Sequence, residues 1–123
     1  MSMYPPIFAT CAADSSVTAL IGSSPVRLYP FDDAPQGVQK PYVVWQTIGG
    51  NPENYLGSLP DVDRFALQVD VYADSASEAR AVAQAVRDAV EPVSYITRWG
   101  GETRDQETRD YRYSFDISWH VIR

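Results

Sequence analysis

Tyr111-Arg112-Tyr113-Ser114-Phe115-Asp116-Ile117-Ser118-Trp119-His120-Val121 decides the fold. Tyr111, Tyr113, Phe115, Ile117, Trp119 and Val121 fall on one face of an extended chain, and Arg112, Ser114, Asp116, Ser118 and His120 on the other. Strict alternation of this length is the pattern of a half-buried antiparallel strand. Burying each large side chain contributes about 1.5–3 kcal/mol, and no other stretch offers so much apolar area to one surface. The rest of the chain has to supply what covers that face.

A second strong strand is predicted over Val62–Ala73, with Phe65, Leu67, Val69 and Val71 inward and Arg64, Gln68, Asp70 and Tyr72 outward. Ser75 followed by Glu78 is a capping-box signature. It opens a helix over Ala76–Val90 that buries Ala79, Val82, Ala83, Val86 and Val90. Alanine and valine on that stripe let the helix lie close to a sheet, and Pro92 stops it. Upstream, Pro5-Pro6 opens a helical stretch over 5–21 in which Ile7, Phe8 and Cys11 share a face. Asp14, Ser15 or Ser16 caps a new turn carrying Val17, Leu20 and Ile21, and Gly22 ends it, giving one broken helix or two short ones.

Between these elements, residues 26–31 read as a short strand and 42–48 as a longer one, apolar on both faces. Such a strand is either central or meets another subunit with its second face. Residues 49–60, with three glycines and two prolines, read as a loop without regular structure. That loop carries Tyr55, Leu56 and Leu59, which are costly to leave in water, so it is expected to order against a partner. Residues 93–98 read as a strand and 99–108 as a charged turn or hairpin tip. The expected architecture is α+β, two-layer: a mainly antiparallel sheet of about five strands with two helical elements on one face, in a single domain over 1–123.

Composition narrows the function classes. The chain has 123 residues, 45% apolar and 21% charged, ordinary values for a soluble globular protein. A formal net charge of -6 makes it a poor general binder of nucleic acid, but suits a wall along which DNA slides without sticking. The single cysteine, Cys11, excludes an internal disulfide and a cysteine-based metal cluster, and fits a reducing cytoplasm. The first residues lack the basic and apolar regions of a signal peptide, and no stretch approaches the roughly 20 apolar residues of a membrane span.

No catalytic constellation is legible. His120 is the single histidine, and Asp116 lies on the same strand face. Ser114 or Ser118 would complete a triad only by direct contact, whereas same-face neighbours on a strand stand about 6.6–7 Å apart. Cys11 reads as a buried small hydrophobe. Asp32-Asp33 and the pair Asp61 and Asp63 lack the spacing of a calcium loop, and Gly49-Gly50 and Gly100-Gly101 read as turn glycines rather than a phosphate-binding loop. No catalytic residue, cofactor or metal is therefore expected. Arg98, Arg104, Arg109 and Arg112 alternate with Glu102, Asp105, Glu107 and Asp110, which makes either a solvated hairpin or a mixed-charge docking surface. Trp119 is expected in the core; Trp99, beside a glycine pair, is a candidate exposed anchor.

Several ordered patches carry a family resemblance. Tyr29-Pro30-Phe31, Ala34-Pro35-Gln36-Gly37, Pro41-Tyr42-Val43-Val44-Trp45-Gln46, Asn51-Pro52-Glu53-Asn54-Tyr55-Leu56 and Asp70-Val71-Tyr72-Ala73 resemble the tail completion proteins of long-tailed bacteriophages, also known as DUF3168, over about residues 4–121. The resemblance implies a non-enzymatic tail terminator, or tail-to-head joining protein. Such a protein forms a ring, usually a hexamer, at the head-proximal end of the tail tube and stops tube polymerisation. It then joins the tail to the head connector. The implied partners are further copies of the chain, the major tail tube protein and the connector. DNA passes through the ring without sequence-specific binding. The implied location is the head–tail junction of the virion, after synthesis in the bacterial host cytoplasm. The residues themselves single out Trp45, Tyr55, Leu56, Leu59, Trp99, Arg104, Arg109 and Arg112 as subunit or partner contacts. A ring needs two different patches on each subunit. The alternative is a small α+β ligand-binding or regulatory module acting as a dimer, which an enclosed apolar cavity with convergent polar groups would favour.

Overall fold

The computed structural model describes residues 3–123. Three helices, α1 (Ile7–Ala12), α2 (Ser15–Ile21) and α3 (Ala76–Val90), cover one face of a five-stranded sheet. The strands are β1 (Leu28–Pro30), β2 (Tyr42–Pro52), β3 (Val62–Ala73), β4 (Tyr95–Arg104) and β5 (Tyr111–Ile122), in the spatial order β1-β2-β3-β5-β4. Only β1 pairs in parallel, with β2; the other neighbours are antiparallel. The expected two-layer α+β architecture is therefore the observed one.

β5 lies between β3 and β4 because α3 carries the chain from β3 past one strand position and β4 then folds back on β5. The two strands with the strongest alternation are thus paired at the centre, from Val62 opposite Ile122 to Ala73 opposite Tyr111. Phe115 faces Val69, Ile117 faces Leu67 and Trp119 faces Phe65, and α3 closes the layer with Ala79, Val82, Ala83, Val86 and Val90, all five buried. Trp119 is in the core as expected. Ser75 accepts the Glu78 N–H at 3.2 Å, and the Glu78 carboxylate accepts the Asp74 N–H at 3.1 Å, so the capping box forms with its return bond one residue early. Asp14 caps α2 by accepting the N–H groups of Ser16 and Val17. The helical stretch is two short helices, and Phe8 departs from the expected face: Ile7 and Cys11 are buried while Phe8 is exposed.

Two expectations fail for one physical reason. Residues 49–52 are not loop but the end of β2, and residues 99–104 are not turn but the end of β4. Both glycine pairs sit at register shifts inside strands, between Thr47 and Gly49 in β2 and between Trp99 and Gly101 in β4. A Cβ on Gly50, at φ +141, would lie 2.2 Å from the Arg64 carbonyl oxygen of the paired strand; one on Gly100 would lie 3.1 Å from that of Ser114. These glycines are bulge residues that let two backbones approach, not turn residues. The irregular segments shrink to 53–61 and 105–110. The first strand is also shorter than 26–31, pairing only over Leu28–Pro30.

Candidate interaction surfaces

The two hairpins point in opposite directions. The β2–β3 connection lies beside the end of β5, where Val62 faces Ile122, and the β4–β5 connection lies beside the other end, where Tyr111 faces Ala73. The first connection is tied down at its base. Glu53 N–H donates to the Val62 carbonyl at 2.9 Å, Arg123 N–H to that of Asp61 at 2.8 Å, and Arg64 reaches Asn51 at 2.8 and 3.1 Å. Tyr55 and Ser58 bridge across the tip. Held on this base, Leu56 is 102% exposed and Leu59 83%, with Tyr55 half in solvent. The three apolar side chains thus stand together in solvent on a tip whose base is hydrogen-bonded.

The opposite tip is polar and equally braced. Asp105 accepts the N–H groups of Glu107 and Thr108 at 2.8 and 2.9 Å, which holds its carboxyl below the usual carboxylate range. Lys40 pairs with Asp110 and, at 3.3 Å, with Asp74; the bond to Asp110 chiefly raises its ammonium above its usual range. Arg104 lies 4.9 Å over the Tyr111 ring, and Arg109 stands at the tip with φ 64. Arg112 lines the same open hollow as Arg104 but is held by a different partner. It is drawn onto the helix-free face of the sheet, where Nη2 meets the Asp70 carboxylate at 2.8 Å.

Trp45 and Trp99 are on the helix side, at opposite margins of the sheet. Trp45 lines an open apolar groove of about 560 Å³ together with Pro5, Phe8, Pro30 and Phe31, with the exposed carboxylates Asp32 and Asp33 at its rim. Trp99, 49% exposed, rests its ring against Phe115 at 5.5 Å and edge-on to Tyr113 at 6.1 Å. The eight residues singled out in the sequence thus fall into separate patches: the Tyr55–Leu56–Leu59 loop tip, the charged tip with Arg104 and Arg109 and with Arg112 beside it on the sheet, the groove at Trp45 and the strand edge at Trp99. The sequence does not single out Phe8 and Phe31, because their place in the groove depends on which elements stand beside them.

His120 faces Glu53, at 3.9 Å, and Tyr95, edge-on at 6.2 Å, while Asp116 faces Arg98 at 3.7 Å. His120 and Asp116 therefore have different partners. Cys11 is fully buried, and burial pushes its thiol up to about 12. Among the described residues, no three His, Cys, Asp or Glu side chains are grouped to hold a metal ion, and no helix is long and apolar enough to cross a membrane.

The fold is a two-layer α+β unit that leaves apolar groups exposed on a braced tip and in an open groove. The chain belongs to the family described as tail completion protein gp17, which matches residues 5–122. This is a family of structural phage tail proteins. The fold is also similar to a chain in the virion of a native gene transfer agent particle, with a TM-score of 0.75 at 19% identity, covering 95% of this chain and 92% of that one. No curated protein matches the chain.

Proposed function

We propose that this protein is a tail terminator: a single domain over residues 1–123, without enzymatic activity, that closes into a ring at the head-proximal end of the tail tube. The ring is hexameric, ends tube polymerisation and offers its other side to the head connector. The observation that carries this reading is the family match across almost the whole chain. The geometry supports it, because a joining ring needs two different axial faces. The Tyr55–Leu56–Leu59 tip and the Arg104–Arg109 tip lie at opposite ends of the β3–β5 pair and differ in chemistry. The apolar tip suits a dehydrated protein contact, and the charged tip a wetter, orientable one. Trp45 and Trp99, on the flanks, suit contacts around the ring. The net charge of -6 suits a passage that does not hold DNA. The head–tail junction of the virion is then its site of action.

Electron microscopy of particles made without this protein tests the reading. Overlong tubes, or tails of ordinary length detached from heads, are expected. Normal tails joined to filled heads would overturn it.

A further inference from the structure

The apolar tip takes no hold from the core. Tyr55, Leu56 and Leu59 belong neither to the buried cluster nor to the side chains packed against it, so their direction is set at the root of the β2–β3 hairpin. That root is gripped on both faces. Asp63 and Arg64 are consecutive in β3, so their side chains point to opposite faces of the sheet. On the helix-free face Arg64 donates twice to the Asn51 side chain, at 2.8 and 3.1 Å, which stiffens the hairpin within itself. On the helix side, which Asp63 shares with Phe65, the grip comes from outside the hairpin. The β3–β5 ladder ends where Val62 faces Ile122, and Arg123 extends its hold past that end. The Arg123 main-chain N–H donates to the Asp61 carbonyl at 2.8 Å. Its guanidinium closes a fork on Asp63, with Nε at 2.9 Å from one carboxylate oxygen and Nη2 at 2.8 Å from the other. His120, also on β5, comes no nearer to Glu53 than 3.9 Å.

We infer that Arg123 is the positioning residue of the tip: its fork on Asp63 sets the angle at which Tyr55, Leu56 and Leu59 are presented to a partner. The inference rests on the assembly role proposed for that tip. A fork-to-fork arginine–carboxylate pair fixes direction as well as distance, because two parallel N–H···O bonds leave little freedom to rotate. A lysine would keep the attraction and lose the direction. The Arg123 side chain is 43% exposed and that of Asp63 22%, and exposed ion pairs contribute little to global stability. The pair therefore acts on local order. Without it β2, β3 and β5 keep their ladders, while the segment beyond them, which has no core contact of its own, is free to swing. An apolar tip already held at one angle binds without the entropy loss of ordering it.

Charge reversal and its repair read the role. Arg123→Asp, Asp63→Arg and the swap carrying both changes are compared by hydrogen exchange, by thermal melting and by electron microscopy of tails assembled in infected cells. Each single variant is expected to speed exchange of the 53–61 amides about three- to fivefold, the upper range for one exposed pair. Exchange at Val69 and Phe115 and the melting temperature should stay as in wild type, while the yield of finished tails falls by a similar factor. The swap should recover both exchange and yield. Added to Tyr55→Ser with Leu56→Ser, Arg123→Asp should lower the yield no further, because it acts through those side chains. Unchanged exchange in both single variants, faster exchange with a normal yield of tails, or a swap that recovers neither would overturn the positioning role and leave the tip its own. So would single variants that melt well below wild type, which would make the pair a structural one. Normal tails from Tyr55→Ser with Leu56→Ser would remove the reading of the tip as a contact, and this inference with it.

Discussion

Arg112 on β5 reaches diagonally across the central strand pair to Asp70 on β3, with Nε and Nη2 at 2.9 and 2.8 Å from the same carboxylate oxygen. Asp70 is the one buried charged residue among the described residues, and the Gln68 amide also donates to it, at 3.1 and 3.3 Å. Truncating Arg112 leaves a nearly buried carboxylate short of a donor, which costs about 1–3 kcal/mol. Arg112→Ala is expected to lower the urea midpoint accordingly, and the double variant Asp70→Asn with Arg112→Ala to recover part of the loss. An unchanged midpoint in Arg112→Ala would show that Gln68 alone satisfies Asp70.

Gly50→Ala should destabilise more than a loop glycine would. The new methyl group meets the Arg64 carbonyl in a backbone conformation that costs a non-glycine residue about 1–3 kcal/mol. Gly57→Ala in the 53–61 segment is the control: its φ of +84 is also unfavourable, but its Cβ meets nothing within 4 Å. Thermal melts of the two variants check the difference. Equal losses would mean that the β2 bulge yields without strain.

Cys11 links stability to alkaline pH. Its ordinary value of 9.0 is pushed up to about 12, mainly by burial and further by Asp14. A group raised in the folded state contributes stability that is complete below its unfolded value and is lost as pH rises through the folded one. The loss therefore runs between about pH 9 and 12. Tyr42 and Tyr72, also raised chiefly by burial, add to it. Cys11→Ala should flatten the fall of the urea midpoint over this window without abolishing it. The thiol of the native protein should resist an aromatic disulfide reagent at pH 8 and react once unfolded. Rapid labelling of folded protein would contradict the burial.

The braced tip offers a test of assembly separable from folding. Tyr55→Ser with Leu56→Ser removes apolar groups that contribute nothing to the core, so the melting temperature should stay within a degree or two. Tail assembly in infected cells, read by electron microscopy, should fall sharply. A double variant that unfolds instead would place the tip in the core.

Much of this protein is set locally. The alternation over 111–121 specifies a half-buried strand because side chains alternate across any extended chain, and the Ala–Val stripe with its Ser75–Glu78 cap specifies α3 for equally local reasons. The two-layer α+β class follows from covering those two apolar faces. What local pattern could not reveal depended on pairing. Gly49-Gly50 and Gly100-Gly101 look like turns until the partner strand stands within 3.1 Å of where a side chain on Gly50 or Gly100 would be. Likewise, nothing in the sequence places Phe8 and Phe31 beside Trp45, or sets Trp45 and Trp99 in one row, because the strand order β1-β2-β3-β5-β4 is a property of the assembled sheet. Which faces must be buried is thus written in the hydrophobic pattern, which acts residue by residue. Which exposed groups share a surface emerges when the strands pair, since that depends on long-range register.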